Sequence, residues 1–298
     1  MAAELQYEPN QAAISFKKGR TFTLGVILPN LGEEFFSMAI NSIEDTASKN
    51  NYTVLIGQSH DDKEREKKIV ETMRKHRVDG IIVSISKNTD TFQHFNDLKK
   101  YKIPVVFFDR VPDGDDFYKI SCSLKQCSIA MVDWLVSKGY KRIGFIKGPG
   151  SMSAADERMQ GYIQGLAKNN IKVDRNLIAE TDLTTVQNVA AMNKLLALKE
   201  VPPAVIVFND YVALDVIKHT KARGYKINKD ICFASYANLP ITTYLDDPPI
   251  LSVEQFPHEQ AEKAIEILLK LINSKDSPAE TKNKFVIESE LVVNQSDK

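Results

Sequence analysis

The feature that most constrains this chain is a rhythm. Short apolar runs rich in Val, Ile and Phe recur at a spacing of about 25–30 residues. Amphipathic stretches fill the intervals, which is the signature of βαβ units. The clearest runs are 23–28, 53–57, 80–84 and 105–109, then 142–147, 177–181, 204–208 and 231–235, and each is predicted as a strand. After the first run, Phe36, Ile40, Ile43 and Ala47 fall on one helical face, as do Ala261, Ala264, Ile265, Leu268 and Ile272 near the C-terminus. Runs this apolar suit strands covered on both sides, hence parallel sheets with helices on either face. Two successive series of four units therefore predict an α/β protein of two doubly wound lobes.

A length of 298 residues accommodates that reading, at about 100–200 residues per lobe. Lys and Arg number 39 and Asp and Glu number 39, so no net field draws the whole molecule to nucleic acid or anionic lipid. Hydrophobic residues make up 43% and charged residues 26%, which excludes a disordered or collagen-like chain. The longest apolar runs, 103–108 and 201–208, contain proline and are too short to span a bilayer. The cysteines are Cys122, Cys127 and Cys232, an odd set without a C-x-x-C pair, which argues against a disulfide framework or a four-ligand zinc site. Residues 1–18 contain no apolar stretch of signal-peptide length, and a cytoplasmic location is expected.

In open parallel sheets, ligands bind beyond the carboxyl ends of the strands. The predicted strands exit into Pro29-Asn30, Gln58-Ser59, Ser84, Asp109-Arg110, Lys147-Gly148, Asn209-Asp210, and Tyr236 with Asn238. Phe35 and Phe36 add flat apolar faces after the first strand. Carboxylates, amides and arginine beside aromatic rings suit a polyhydroxylated ring such as a sugar. Any one exit is equally a turn or a helix cap, but seven exits from two lobes predict a shared cleft.

Catalytic motifs are missing. Gly148-Pro149-Gly150 lacks the third glycine of a dinucleotide loop, and Pro149 removes an N–H that phosphate would use. His60, His76, His94, His219 and His258 are scattered. Glu33-Glu34 fits a helix start favoured by the dipole, and the charge run 63–68 fits a solvated helix face. No nucleophile has a plausible base, and no enzyme, cofactor or metal is expected.

The order of motifs resembles the lactose-repressor (LacI/GalR) family of bacterial transcription regulators along nearly the whole chain. The matching stretches include Tyr7-Glu8-Pro9-Asn10, Leu24-Gly25-Val26-Ile27-Leu28-Pro29, Val78-Asp79-Gly80-Ile81-Ile82 and Phe108-Asp109-Arg110. Further on come Lys138-Gly139-Tyr140-Lys141-Arg142-Ile143-Gly144, Arg158-Met159-Gln160-Gly161-Tyr162, Asn209-Asp210 and Leu251-Ser252-Val253-Glu254-Gln255. The resemblance implies a periplasmic-binding-protein-like type I core of two Rossmann-like lobes, usually dimeric, with crossovers near Gly139, Gln255 and Ser274 and effector in the cleft. On that basis residues 1–20 are a hinge or linker remnant of the DNA-binding region. Residues 21–139 with 256–275 form the N-terminal lobe, and 140–255 with 276–298 the C-terminal lobe.

Carried over residue by residue, the resemblance implies that Phe35 or Phe36 packs on the effector ring while Asp109 and Arg110 contact its polar groups. Arg158 would reach in as a forked donor, its loss to Ala abolishing binding with the fold intact. Asn209 and Asp210 match the family's pair, Gln255 lies near the ligand, and Asn238 is a further candidate. The usual V-D-N stretch is replaced by Cys122-Ser123-Leu124 and the usual G-F-D-D by Ser235-Tyr236-Ala237-Asn238, where Tyr236 is a candidate aromatic wall. A sugar or sugar derivative is the first choice of effector, with a nucleobase as the alternative. The chain reads as starting just inside the family's helix-turn-helix headpiece, so operator DNA would be bound only through a headpiece outside it. Asn10 belongs to the hinge, where Phe16 would wedge into the minor groove or pack on the core. The competing reading is a periplasmic-type sugar-binding protein that feeds a transporter.

Overall fold

The computed structural model describes residues 19–114, 116–274 and 283–294. The chain runs β1 (Thr23–Leu28), α1 (Glu34–Lys49), β2 (Thr53–Gln58), α2 (Lys63–Lys75), β3 (Gly80–Val83), α3 (Gln93–Asn96), a 3₁₀ turn (Asp97–Tyr101), β4 (Val105–Phe108) and β5 (Tyr118–Cys122). It continues through α4 (Leu124–Ser137), β6 (Ile143–Lys147), α5 (Ser153–Lys168), β7 (Ile178–Glu180), α6 (Thr185–Leu196), β8 (Ala204–Val207), α7 (Asp210–Ala222), β9 (Cys232–Ala237) and β10 (Leu251–Glu254). Helix α8 (Pro257–Asn273) and strands β11 (Lys284–Ile287) and β12 (Glu290–Val293) complete it.

Two compact units result, 1–120 with 257–285 and 121–256 with 286–298. The first sheet has the order β11-β5-β4-β3-β1-β2 and the second β12-β10-β9-β8-β6-β7. Strands β1 to β5 pair in parallel, as do β6 to β10, and β12 closes the second sheet antiparallel to β10. Each lobe thus repeats one doubly wound order. Its reversal falls beside β1 and β3 in the first lobe and beside β6 and β8 in the second, where the crevice of such sheets opens. The continuous apolar runs are explained by burial on both faces: β3, β4 and β8 are buried along their whole length.

The lobes are divided differently from the sequence expectation. The chain changes lobe at 120/121, 256/257 and 285/286, so the second change falls beside Gln255 as expected while the first and third lie away from Gly139 and Ser274. Helix α4, expected in the first lobe, belongs to the second because Leu124, Cys127, Met131, Val132 and Leu135 fill that lobe's core. It lies very close to α5. A Cβ on Gly161 would meet Ser128 Cβ at 2.4 Å and the Lys125 carbonyl at 2.5 Å, and one on Gly165 would meet Val132 Cβ at 2.6 Å. The third change comes later than Ser274 because β11 joins the edge of the first sheet, where Lys119 N–H donates to the Asn283 carbonyl at 2.8 Å.

The charge run at the start of α2 is not wholly solvated. Glu66 is fully buried, accepting from the Ser86 N–H at 2.8 Å, the Thr89 hydroxyl at 2.8 Å and His94 Nε2 at 3.0 Å. It ties α2 to the segment after β3, while Lys67 on the same helix pairs with Glu64 in solvent.

Candidate functional site

In the first lobe, the carboxyl ends of the strands converge on Arg110. Strand β4 exits into Asp109, whose left-handed φ of 58° turns the chain. The next residue is fixed by two backbone bonds, Ile85 N–H to the Arg110 carbonyl at 3.1 Å and Arg110 N–H to Ser84 Oγ at 3.4 Å. The Arg110 guanidinium donates to Asp61 Oδ1 at 2.8 Å, lies 3.7 Å from Glu33 Oε1, and sits 5.6 Å from the centre of the Phe36 ring. Ser84 donates to Asp109 Oδ2 at 3.4 Å. Two carboxylates, Asp61 and Glu33, therefore flank the cation. Burial pushes the Glu33 carboxyl up; Arg110 opposes the shift, and Asp109 and Asp61 add to it.

Phe35 and Phe36 are both buried and meet edge to face at 5.4 Å. Of the two, Phe36 is the ring that meets Arg110. A guanidinium held against a ring and by a carboxylate is pre-oriented for a polar ligand at little further entropic cost.

In the second lobe, Arg158 on α5 is only 4% exposed. Its guanidinium lies 4.3 Å from the centres of both the Phe208 and Tyr236 rings. It donates to the Phe208 carbonyl at 2.7 Å and to Gln255 Oε1 at 3.2 Å. The Gln255 carbonyl accepts the Cys122 thiol at 3.0 Å, and Tyr236 Oη lies 2.6 Å from Ser128 Oγ. Burial pushes the Tyr236 phenol up to about 12. The Phe208 ring covers the exit of β6 so closely that a Cβ on Gly148 would meet it at 2.4 Å, which accounts for that glycine.

The remaining predicted residues line the next two exits. Asn209 caps α7, its Oδ1 accepting from Val212 N–H at 3.0 Å. Asp210 is fully buried and accepts from the Ser235 hydroxyl and from Leu239 N–H at 2.6 Å; burial raises its carboxyl to about 6. These bonds brace a left-handed corner, Ala237 at φ 94° and Asn238 at φ 51°. There Asn238 N–H donates to Ser252 Oγ at 3.1 Å and Nδ2 to Glu254 Oε2 at 2.9 Å. Asn10 and Phe16 lie outside the described residues.

The structure thus groups Phe36, Asp109 and Arg110 in one lobe. In the other it groups Arg158 with Gln255 and, nearby, Asp210 with the Asn238 corner. Sequence reasoning missed Glu33, Asp61 and Glu254. Asp61 stands two residues past the Gln58-Ser59 exit, and following each exit a little further would have reached it.

Comparison with known proteins gives the fold its lineage. Residues 24–276 match the family model described as a periplasmic binding protein domain. The HTH-type transcriptional repressor CytR of Escherichia coli is 30% identical over 268 residues, 90% of this chain and 78% of CytR. The chain belongs to the LacI family of transcription regulators. Among solved structures, CcpA of Lactococcus lactis matches this LacI-family chain at a TM-score of 0.81 and 28% identity, over 91% of this chain and 97% of its own. A periplasmic binding protein/LacI transcriptional regulator from Alkaliphilus metalliredigens, complexed with D-xylulofuranose, matches at 0.78 and 27%, with the same coverage. These relatives are regulators, not enzymes, and they favour a ligand-sensing regulatory core over a transporter's solute-binding protein. Among the described residues, no helix is long and apolar enough to cross a membrane, and no group of three or more His, Cys, Asp or Glu is placed to hold a metal ion.

Proposed function

We propose that this LacI-family core senses a sugar or sugar derivative in the cytoplasm, and that it works as a homodimer whose effector occupancy sets operator affinity through a headpiece. The effector is read by strand-end groups of each lobe, Phe36, Asp109 and Arg110 in the first and Arg158, Asn209, Asn238 and Gln255 in the second. Asp210 acts from behind by holding the Asn238 corner.

The observation that carries this reading is the state of Arg110. It is fixed against Phe36 and beside carboxylates at the reversal of the strand order, which is where such sheets take their ligands. Cations, carboxylates and a flat ring together match alternating hydroxyls and C–H faces. The D-xylulofuranose carried by the regulator from Alkaliphilus metalliredigens supports the same chemistry. An effector that favours one of two conformations shifts the equilibrium by its differential affinity, typically about 1–3 kcal/mol.

Thermal-shift screening of pentoses, hexoses, sugar acids and nucleobases tests the proposal, because a ligand bound only by the folded state raises the melting temperature. A polyhydroxylated compound is expected to stabilise the chain, and Arg110→Ala to weaken its binding at least about tenfold. Stabilisation by nucleobases alone would overturn the sugar assignment.

A further inference from the structure

The other end of the first sheet carries a concavity. A cavity of about 1220 Å³ opens at the amino ends of β3, β4 and β5, where Val78, Pro104 and Tyr118 line it together with the C-terminal ends of α2 and α8. Arg110 leaves this sheet at the opposite, carboxyl end. The cavity is strongly polarised in a chain whose charges balance: Arg20, Arg74, Arg77, Lys99 and Lys102 face it against Asp79 and Asp116.

Part of that charge is internal. Asp79 accepts from the Thr21 and Phe22 N–H groups, both at 2.9 Å. Arg20 donates to Asn273 Oδ1 and the Ile272 carbonyl at the end of α8, and Arg74 pairs with Glu71 while lying 4.5 Å from the centre of the Tyr101 ring. Three exposed cations remain. Among the described residues, no carboxylate pairs with Arg77, Lys99 or Lys102. Lys99 lies 5.1 Å from the Phe117 ring, and Tyr101 is half exposed beside it.

The backbone shows that two of these cations occupy unusual places. Helices α1, α4, α5 and α7 are followed by Asn51, Gly139, Asn170 and Gly224, at φ 60°, 92°, 58° and 87°. Glycine and asparagine are the residues that adopt this left-handed turn most easily. At this cavity the equivalent left-handed positions after α2 and the 3₁₀ turn hold Arg77 (φ 54°) and Lys102 (φ 58°). Attraction to helix dipoles accounts for cations in a last turn, such as Arg74 and Lys99. It does not account for a long cation where the backbone favours glycine, twice, on one cavity.

We infer that this amino-edge cavity binds a phosphate-bearing anion, gripped by Arg77, Lys99 and Lys102 with the exposed face of Tyr101 beside them. Clustered cations in a concave wall raise the local concentration of such anions. The phosphate belongs either to a small phosphorylated molecule or to the backbone of DNA.

Calorimetric titration of the whole chain with inorganic triphosphate, and separately with a short DNA duplex at low and high salt, tests this. The variant Arg77→Gly/Lys102→Gly relieves both left-handed positions, so its melting temperature is expected to hold or rise while anion affinity falls at least about tenfold. The control Lys199→Glu/Lys229→Glu, on exposed lysines of the second lobe, is expected to bind like the parent. Loss of triphosphate binding assigns a small phosphate; loss confined to the duplex assigns the DNA backbone. If the glycine variant melts earlier than the parent, Lys99→Gln decides, and it must weaken binding several-fold. Failure of both probes to bind at low salt, or unchanged affinity in the glycine variant or in Lys99→Gln, would overturn the inference.

Discussion

Arg158 and Gln255 meet through a 3.2 Å hydrogen bond at the carboxyl edge of the second sheet, with the guanidinium held at the rings of Phe208 and Tyr236. The sequence motif suggested a donor free to reach a ligand. The side chain is also built into the lobe, and that changes what its removal does. Arg158→Ala removes one donor each from the Phe208 carbonyl and Gln255 and opens a gap beside two rings. A loss of about 3 kcal/mol is expected, alongside weaker effector binding. Thermal unfolding reads it as a fall of roughly 6–12 °C; an unchanged melting temperature would refute the buried role.

Asp210 makes stability depend on pH in the direction opposite to an ion-paired carboxylate. Its folded value of about 6 lies above the ordinary 3.8 because burial disfavours the charge. Below about pH 4 the group is protonated whether folded or unfolded, and its penalty is absent. As pH rises through 6, the folded state must ionise it in a buried site, and roughly 2–3 kcal/mol of stability is lost. Asp210→Asn copies the protonated form, able to accept from Leu239 N–H and donate to Ser235. Urea unfolding from pH 4 to 7 should show the parent losing stability relative to this variant as pH rises. Parallel curves would remove Asp210 as the cause.

Gly161 allows α4 and α5 to touch. A methyl group there meets Ser128 Cβ and the Lys125 carbonyl, and neither is a flexible side-chain end that can swing away. Gly161→Ala is expected to destabilise the second lobe by about 1–3 kcal/mol, measured by denaturant midpoint. The adjacent exposed position is the comparison: Gln160→Ala should stay within about 0.5 kcal/mol of the parent.

Glu66 and Lys67 are neighbours in sequence with opposite expectations. Glu66→Ala strips acceptors from the Ser86 N–H, Thr89 and His94 and should cost roughly 2–4 kcal/mol. Lys67→Ala removes a surface pair and should cost less than about 1 kcal/mol. Chemical denaturation of the two variants side by side separates them.

That contrast also explains what was legible in the residues and what was not. Periodicity reports which strands are buried on both faces, so β1, β3, β4, β6 and β8 stand out as apolar runs and the doubly wound class follows. Edge strands speak more quietly. In β11 and β12 exposure alternates or is partial, and these short segments are not among the predicted strands. Lobe membership of α4 was hidden because an apolar helix face does not name its partner; the packing of Leu124, Met131 and Leu135 in the second core and the close contact of Gly161 with Ser128 decide it. Charged residues were misread where the partner is distant in the chain. Glu33 faces Arg110 across 77 positions, and nothing local distinguishes it from the exposed Glu64. Asp109 and Arg110 stood out as candidates because they directly follow β4, and Phe36 because it lies at the start of the helix after β1.

The order in which the lobes interleave along the chain bears on how the protein is made. Helix α8, whose Ala261, Ala264, Ile265 and Leu268 are wholly buried, belongs to the first lobe although it is translated after the second lobe's five parallel strands, β6 to β10. Leu268 and Ile272 rest against Gly80, a residue that has left the ribosome long before them. The N-terminal half therefore waits, with one face of its sheet open, through most of synthesis. A nascent chain stalled before residue 257 carries that apolar face uncovered, a natural substrate for chaperones.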